Sequence, residues 1–261
     1  MFGPIVNFRK RLNHGEILIG TTIVLTDPLS TDAIAGSVDF IWYDQEHTQM
    51  SHEVLRTHLI IARGRGCPGI VRVPEGTKSF VKPVLDAGAS GVIAPQIKTA
   101  EEVHQLISDC RYTPTGQRGF GPLIPTDYGQ DTGPVYINNS NESILTAVMI
   151  ETVEAVESID EIVSVKGLDS IIIGPMDLSG SLGVLGNFEH RKVINAIDKV
   201  IASAREAGVY VGAGLGLDSS YGLTLVERGV QWLQMGCDIT AMGTGIATAI
   251  KEVRGGIPEQ R

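Results

Sequence analysis

Eight short apolar runs recur along this 261-residue chain, most of them separated by segments of helical length. They read at 17–25 (ILIGTTIVL), 38–44 (VDFIWYD), 69–73 (GIVRV), 91–97 (GVIAPQI), 146–151 (TAVMIE), 169–174 (DSIIIG), 209–213 (VYVGA) and 230–235 (VQWLQM). Most lack the alternation of a half-exposed strand, as parallel strands buried on both faces do. Helix-like segments fall at 51–64, 77–88, 99–110, 153–165, 189–207 and 218–228. Thr99-Ala-Glu-Glu has the capping-box pattern and Asp218-Ser-Ser is a second start signal, while Gly88, Gly167, Gly208 and Gly229 suit the position just past a helix end. The pattern predicts one α/β domain over 1–261, a closed (β/α)8 TIM barrel. The rival is a doubly wound open sheet, which usually carries a glycine fingerprint after its first strand, where this chain has LTDPLST. The irregular stretch 112–145 is expected at the β4–α4 connection, on the face that carries active-site loops.

Composition narrows the function. A formal charge of −9 argues against nucleic acid as the main partner, because phosphate binding needs a concentrated basic surface. The longest apolar runs are too short to cross a bilayer, and MFGPIVNFRKRLNHGE has no apolar leader segment, so a cytoplasmic protein is expected. Cys67, Cys110 and Cys237 are odd in number without short spacing, which suits buried structural thiols rather than a disulfide framework or a zinc cluster.

In a barrel the carboxyl ends of strands are where chemistry is sought. Glu151 closes the fifth run and Asp177 follows the sixth; neighbouring parallel strands lie about 4.8 Å apart, so two such carboxylates can share one cation. Oxygen donors of this kind suit Mg²⁺ or Mn²⁺. Either acid could instead complement a helix dipole. Asp44-Gln45-Glu46-His47 ends the second run, where His47 is a candidate general base and a solvated loop histidine the alternative. Arg72, in an apolar run, is costly unless paired or facing a polar cavity; it could hold a carboxylate or an enolate oxygen, or form a structural ion pair. Gln96 offers an amide near the mouth, and Arg118 in QRGFG could bring a second guanidinium. Backbone N–H groups around Gly174-Pro175-Met176 could hold a substrate carboxylate, and glycines 212, 214 and 216 leave room for a ligand. Lys98 as a Schiff-base lysine is disfavoured by its polar neighbours.

Taken together, DFIWYDQEHT, GIVRVPEGTKSFVKPVLDAGASGVIAPQIKTAEE, RYTPTGQRGFGP, IETVEAVESIDEIVSVKGLDSIIIGPMDLSGSLG and LVERGVQWLQMGCDITAM resemble the HpcH/HpaI aldolase family, the class II pyruvate aldolases of the aldolase/citrate lyase group. The resemblance implies a modified (β/α)8 barrel, commonly a hexamer of dimers that exchange a terminal helix. It implies a divalent cation on Glu151 and Asp177, with Co²⁺ or Zn²⁺ as alternatives to Mg²⁺ or Mn²⁺. It further implies Arg72 at the pyruvate enolate, His47 oriented by Asp44 in proton transfer with water, and Gly174 and Met176 amides at the pyruvyl carboxylate. Glu46 belongs to the same motif. Two departures, Thr21-Thr22-Ile23 where the family often has tryptophan and Gln96 where it often has methionine or valine, alter the pocket wall.

The expected reaction is reversible, metal-dependent cleavage of a 4-hydroxy-2-oxo acid to pyruvate and an aldehyde through a metal-bound enolate. Alternatives are oxaloacetate decarboxylation or a related carbon–carbon lyase reaction on the same site, and a keto-acid-binding barrel without turnover.

Overall fold

The structure, a computed structural model, describes residues 1–257. Eight parallel strands, β1 (Leu18–Ile23), β2 (Ile41–Asp44), β3 (Gly69–Arg72), β4 (Gly91–Ala94), β5 (Leu145–Ile150), β6 (Ser170–Ile173), β7 (Tyr210–Leu215) and β8 (Trp232–Cys237), pair in sequence order. Pairing of β1 with β8 closes the barrel, which removes the open-sheet alternative. Around it run α1 (Gly3–Asn13), α2 (Leu29–Ile34), α3 (His52–Gly64), α4 (Lys78–Asp86), α5 (Ala100–Cys110), α6 (Gly133–Ser143), α7 (Val153–Glu157), α8 (Ile159–Val163), α9 (Pro175–Ser181), α10 (Arg191–Glu206), α11 (Ser219–Arg228) and α12 (Asp238–Gly255). Among the described residues no helix is long and apolar enough to cross a membrane.

Local signals account for many of the boundaries. The Thr99 hydroxyl accepts the Glu102 N–H at 3.3 Å, and the Glu102 carboxylate accepts the Thr99 N–H at 2.9 Å, so both orphan donors of the first turn of α5 are met. Asp218 accepts the Tyr221 N–H at 2.9 Å at the start of α11, and Gly229 ends that helix at φ 117°, a conformation only glycine adopts without strain.

Side chains two apart along a strand share a face, and the inward set packs as a core separate from the strand–helix layer. Phe40, Trp42, Ile70, Ile93, Ala147, Met149, Ile172 and Trp232 fill the barrel, and α1 seals its amino-terminal end with Ile5, Phe8 and Leu12. Phe8 meets Phe40 and Trp232 edge-on, with centroids 5.7 and 5.8 Å apart. A Cβ on Gly212 would lie 2.4 Å from the Trp232 ring, so glycine there is what admits the indole.

The stretch 112–145 departs from expectation. The helix α5 already completes the crossover from β4, so the extra chain falls at the amino-terminal end of the barrel, opposite the active-site face. There α6 leads into β5, and Arg9 of α1 donates to the Glu142 and Ile144 carbonyls at 2.5 and 3.0 Å. The predicted helix over 153–165 is two short helices, α7 and α8, meeting at Ser158.

Candidate active site

At the carboxyl end of the barrel, β3 delivers Arg72 and β2 delivers Asp44, which face each other in register. The guanidinium forks onto the carboxylate, Nε to Oδ1 at 2.9 Å and Nη2 to Oδ2 at 2.6 Å. Both groups are nearly buried, so the pair is a fixed unit rather than a surface contact. Arg72 also lies 5.4 Å from the Trp42 ring centroid and directs Nη1 toward Met149 Sδ at 3.8 Å and Glu46 Oε2 at 2.9 Å. The structural ion pair and the cavity-facing arginine are therefore the same residue.

Asp44 also accepts the main-chain N–H groups of Glu46 and His47 at 3.0 and 3.4 Å, which shapes the loop after β2. The expectation that Asp44 orients the His47 ring is corrected here. Arg72 and the main chain occupy the Asp44 carboxylate, and the His47 ring instead lies with Nε2 3.5 Å from Glu46 Oε2. His47 is mostly exposed at the mouth. Glu46, which sequence reasoning left without a role, stands between Arg72 and His47. Burial raises its carboxyl above the usual range, against the pull of Arg72 and His47, and Asp44 and Asp177 add to the rise.

Glu151 follows β5 directly and is 1 % exposed. Its Oε1 accepts the Gln96 main-chain N–H at 2.7 Å, and its Oε2 lies 2.9 Å from where a Cβ on Gly174 would stand. Burial lifts this carboxyl to about 7; the Gln96 N–H and Arg72 oppose the rise, whereas the charges on Glu46 and Asp177 reinforce it. The register of β5 with β6 sets Ile150 beside Ile173, so Glu151 and Gly174 leave their strands side by side. Asp177 is an exposed first-turn acid of α9, three residues further on.

The remaining candidates divide. Gly174, Met176 and Asp177 line a cleft of about 240 Å³ with Thr22, Trp42, Arg72, Met149, Gly214, Gly216 and Gln234. The Gly174 N–H already points at the Ile150 carbonyl at 3.4 Å, a long contact a ligand oxygen could improve on. Gln96, at φ 56°, has an exposed side chain and meets the site through its main chain. Arg118 does not reach the cleft. It is buried against Asp86 at 2.7 Å and over the Tyr112 ring at 4.6 Å, because its loop lies at the other end of the barrel. Lys98 sits exposed at the start of α5, outside the lining of the cleft. Sequence reasoning missed Gln234; its place two residues beyond the inward Trp232 was the available signal.

The site suits a hard divalent cation on three counts. Glu46, Glu151 and Asp177 repel one another electrostatically, and Arg72 is the cation within the cleft. Glu46 Oε2 is buried without an aligned hydrogen-bond donor. The donors are oxygens, the preference of Mg²⁺ and Mn²⁺. Among the described residues no group of three or more His, Cys, Asp or Glu converges tightly enough to cage an ion. Two carboxylates would thus leave positions for water and substrate.

A family model described as HpcH/HpaI aldolase/citrate lyase matches residues 30–243. A hydroxypyruvate/pyruvate aldolase from Roseovarius nubinhibens is 31 % identical over 243 residues, covering 93 % of this chain and 94 % of its own. A 4-hydroxy-2-oxovalerate aldolase from Rhodococcus jostii is 35 % identical over 210 residues, covering 80 % and 81 %. The crystal structure of an HpcH/HpaI aldolase from Desulfitobacterium hafniense DCB-2 superposes with a TM-score of 0.87 at 31 % identity, covering 97 % of this chain and 98 % of that one. This barrel, with its match across most of the sequence, belongs to the HpcH/HpaI aldolase/citrate lyase family.

Proposed function

We propose that the protein is a class II pyruvate aldolase, a carbon–carbon lyase that reversibly cleaves a 4-hydroxy-2-oxo acid to pyruvate and an aldehyde. The aldolase names of relatives that span most of the chain support the reaction class. The observation that carries the reading is the buried Glu151 carboxylate, fixed by the Gln96 main-chain N–H and set against Gly174 at the edge of the cleft that Arg72 lines.

Glu151 and Asp177 would hold the cation, Mg²⁺ or Mn²⁺, which when bound supplies Lewis-acid polarisation of the keto carbonyl. Arg72, pinned by Asp44, presents its Nη1 edge to the C2 oxygen and stabilises charge that develops there during bond cleavage. The Gly174 and Met176 amides orient the substrate carboxylate, and Gln96 fixes Glu151 through its main chain. With its Nε2 turned toward Glu46 Oε2 at 3.5 Å, His47 would take the C4 hydroxyl proton on its other ring nitrogen, Nδ1, directly or through water. The C3–C4 bond breaks, its electron pair forms the enolate, the aldehyde departs, and protonation at C3 gives pyruvate.

The protein is also proposed to work as a cytoplasmic homo-oligomer, a trimer of dimers, with one barrel domain over 1–261 and exchange of the last helix. In α12 only Asp238 is buried, while Ile239, Met242, Ile246, Ile250 and Val253 form an exposed apolar stripe that a second copy would cover.

A lactate dehydrogenase-coupled assay over 4-hydroxy-2-oxo acids and oxaloacetate tests the reaction. Pyruvate release that stops in EDTA and returns with Mn²⁺ supports it. Full activity in chelator with borohydride trapping at Lys98 would replace it with a Schiff-base aldolase.

A further inference from the structure

The cleft has two unlike sides. Arg72 and Asp177 make one of them charged, with Glu46 against Arg72 and Glu151 against Gly174 just behind that lining. The other is built from β1, β7 and β8, and the two-residue period of the strands decides which side chains reach it. On β8 the inward position after Trp232 is Gln234, on β7 the position after Gly212 is Gly214, and on β1 the position after Gly20 is Thr22; all three line the cleft. Thr22 and Gln234 are its uncharged polar side chains, and Arg72 is its only lysine or arginine among the described residues.

Gln234 is held in one orientation. Its Nε2 donates to the Gly236 carbonyl, which assigns the other amide atom, Oε1, as an acceptor. A Cβ on Gly214 would stand 3.1 Å from Oε1, so the missing side chain on β7 is what leaves this oxygen open to the cleft. Thr22 reaches the same space from the neighbouring strand, β1. Below them lie Trp42 and Met149, an apolar floor.

We infer that Thr22 and Gln234 select the aldehyde half of the substrate, and that the preferred aldehyde is short, uncharged and hydroxylated. This rests on the aldolase reading of the charged side. An acceptor on Gln234 and a hydroxyl on Thr22 pair with a substrate hydroxyl, whereas an alkyl chain of equal length would strip water from both without replacing the hydrogen bonds. A carboxylated aldehyde finds no cation on this wall, and the Gln234 oxygen repels it.

The test is competition in the synthetic direction, with pyruvate, Mn²⁺ and glycolaldehyde, glyceraldehyde, propionaldehyde or succinic semialdehyde. The hydroxyaldehydes should lead propionaldehyde in kcat/KM by about tenfold or more, the worth of one well-placed hydrogen bond. Gln234→Leu should raise KM for glyceraldehyde and erase that preference, and Thr22→Val should weaken it. Equal use of propionaldehyde and glyceraldehyde by the unaltered enzyme, or a preference for succinic semialdehyde, would overturn the inference whether or not the variants fold. Exchange of pyruvate methyl protons in D₂O, followed in parallel, separates the two claims. No exchange sinks the aldolase reading itself, whereas exchange with the wrong aldehyde preference sinks only the role of this wall.

Discussion

Glu151 and Gly174 fit by exclusion: the Glu151 carboxylate stands 2.9 Å from the place a β-carbon at residue 174 would take. Gly174 has φ −101° and ψ 87°, angles open to other residues, so its requirement is for space rather than for unusual torsion. Gly174→Ala should therefore push Glu151 aside while leaving the barrel folded. The expected result is at least about tenfold weaker Mn²⁺ binding by titration calorimetry, since even outer partners of metal ligands carry that much. Gly121→Ala, where a Cβ meets nothing, is the control.

Arg72 forks onto Asp44 through two parallel N–H bonds, a geometry lysine lacks. Arg72→Lys is predicted to lose roughly 3–4 kcal/mol of transition-state stabilisation, like removal of an oxyanion donor. Steady-state kinetics should show the loss in kcat as well as in kcat/KM. A change confined to KM would assign Arg72 to ground-state binding alone.

Burial raises the Glu151 carboxyl from its ordinary 4.5 to about 7, so without a cation its protonated form favours the fold. That contribution is complete below about 4.5 and is lost as pH climbs through about 7. A bound cation reverses the preference by holding the carboxylate ionised, so uptake releases protons below pH 7. Melting temperatures of EDTA-treated and Mn²⁺-loaded protein should diverge as pH rises from 5 to 7.5. Curves that stay parallel would deny Glu151 a place at the cation.

Phe8 seals the barrel floor against Phe40 and Trp232, away from the chemistry. Phe8→Ala should cost about 3–5 kcal/mol of stability, as for other buried aromatics. Denaturant unfolding checks the loss, and kcat at low temperature should hold near the parent value because α1 contributes no residue to the cleft lining.

Parts of this fold were legible because their physics is local. Continuous apolar runs marked all eight strands, and Gly88, Gly167, Gly208 and Gly229 all have positive φ past helix ends. Five helices, α1, α2, α6, α9 and α12, fall outside the segments read from the pattern, and only the terminal one was implied by the resemblance. Both α2 and α9 are shorter than two full turns, α6 has a weak apolar face, and α1 earns its place by plugging a barrel no local window reveals. In the site, strand ends pointed to Glu151 and Arg72. What they left hidden was pairing: Asp44 binds Arg72 rather than the His47 ring, and Glu46 Oε2 lies 3.5 Å from that ring, because register and burial decide which acid meets which base.

A crystal soaked with manganese and pyruvate, measured at the manganese absorption edge, bears most directly on the chemistry. The expected result is one anomalous peak with Glu151 and Asp177 oxygens at coordination distance and pyruvate beside Arg72. A cleft with no peak, or a metal held elsewhere while pyruvate binds apart from Arg72, would contradict it.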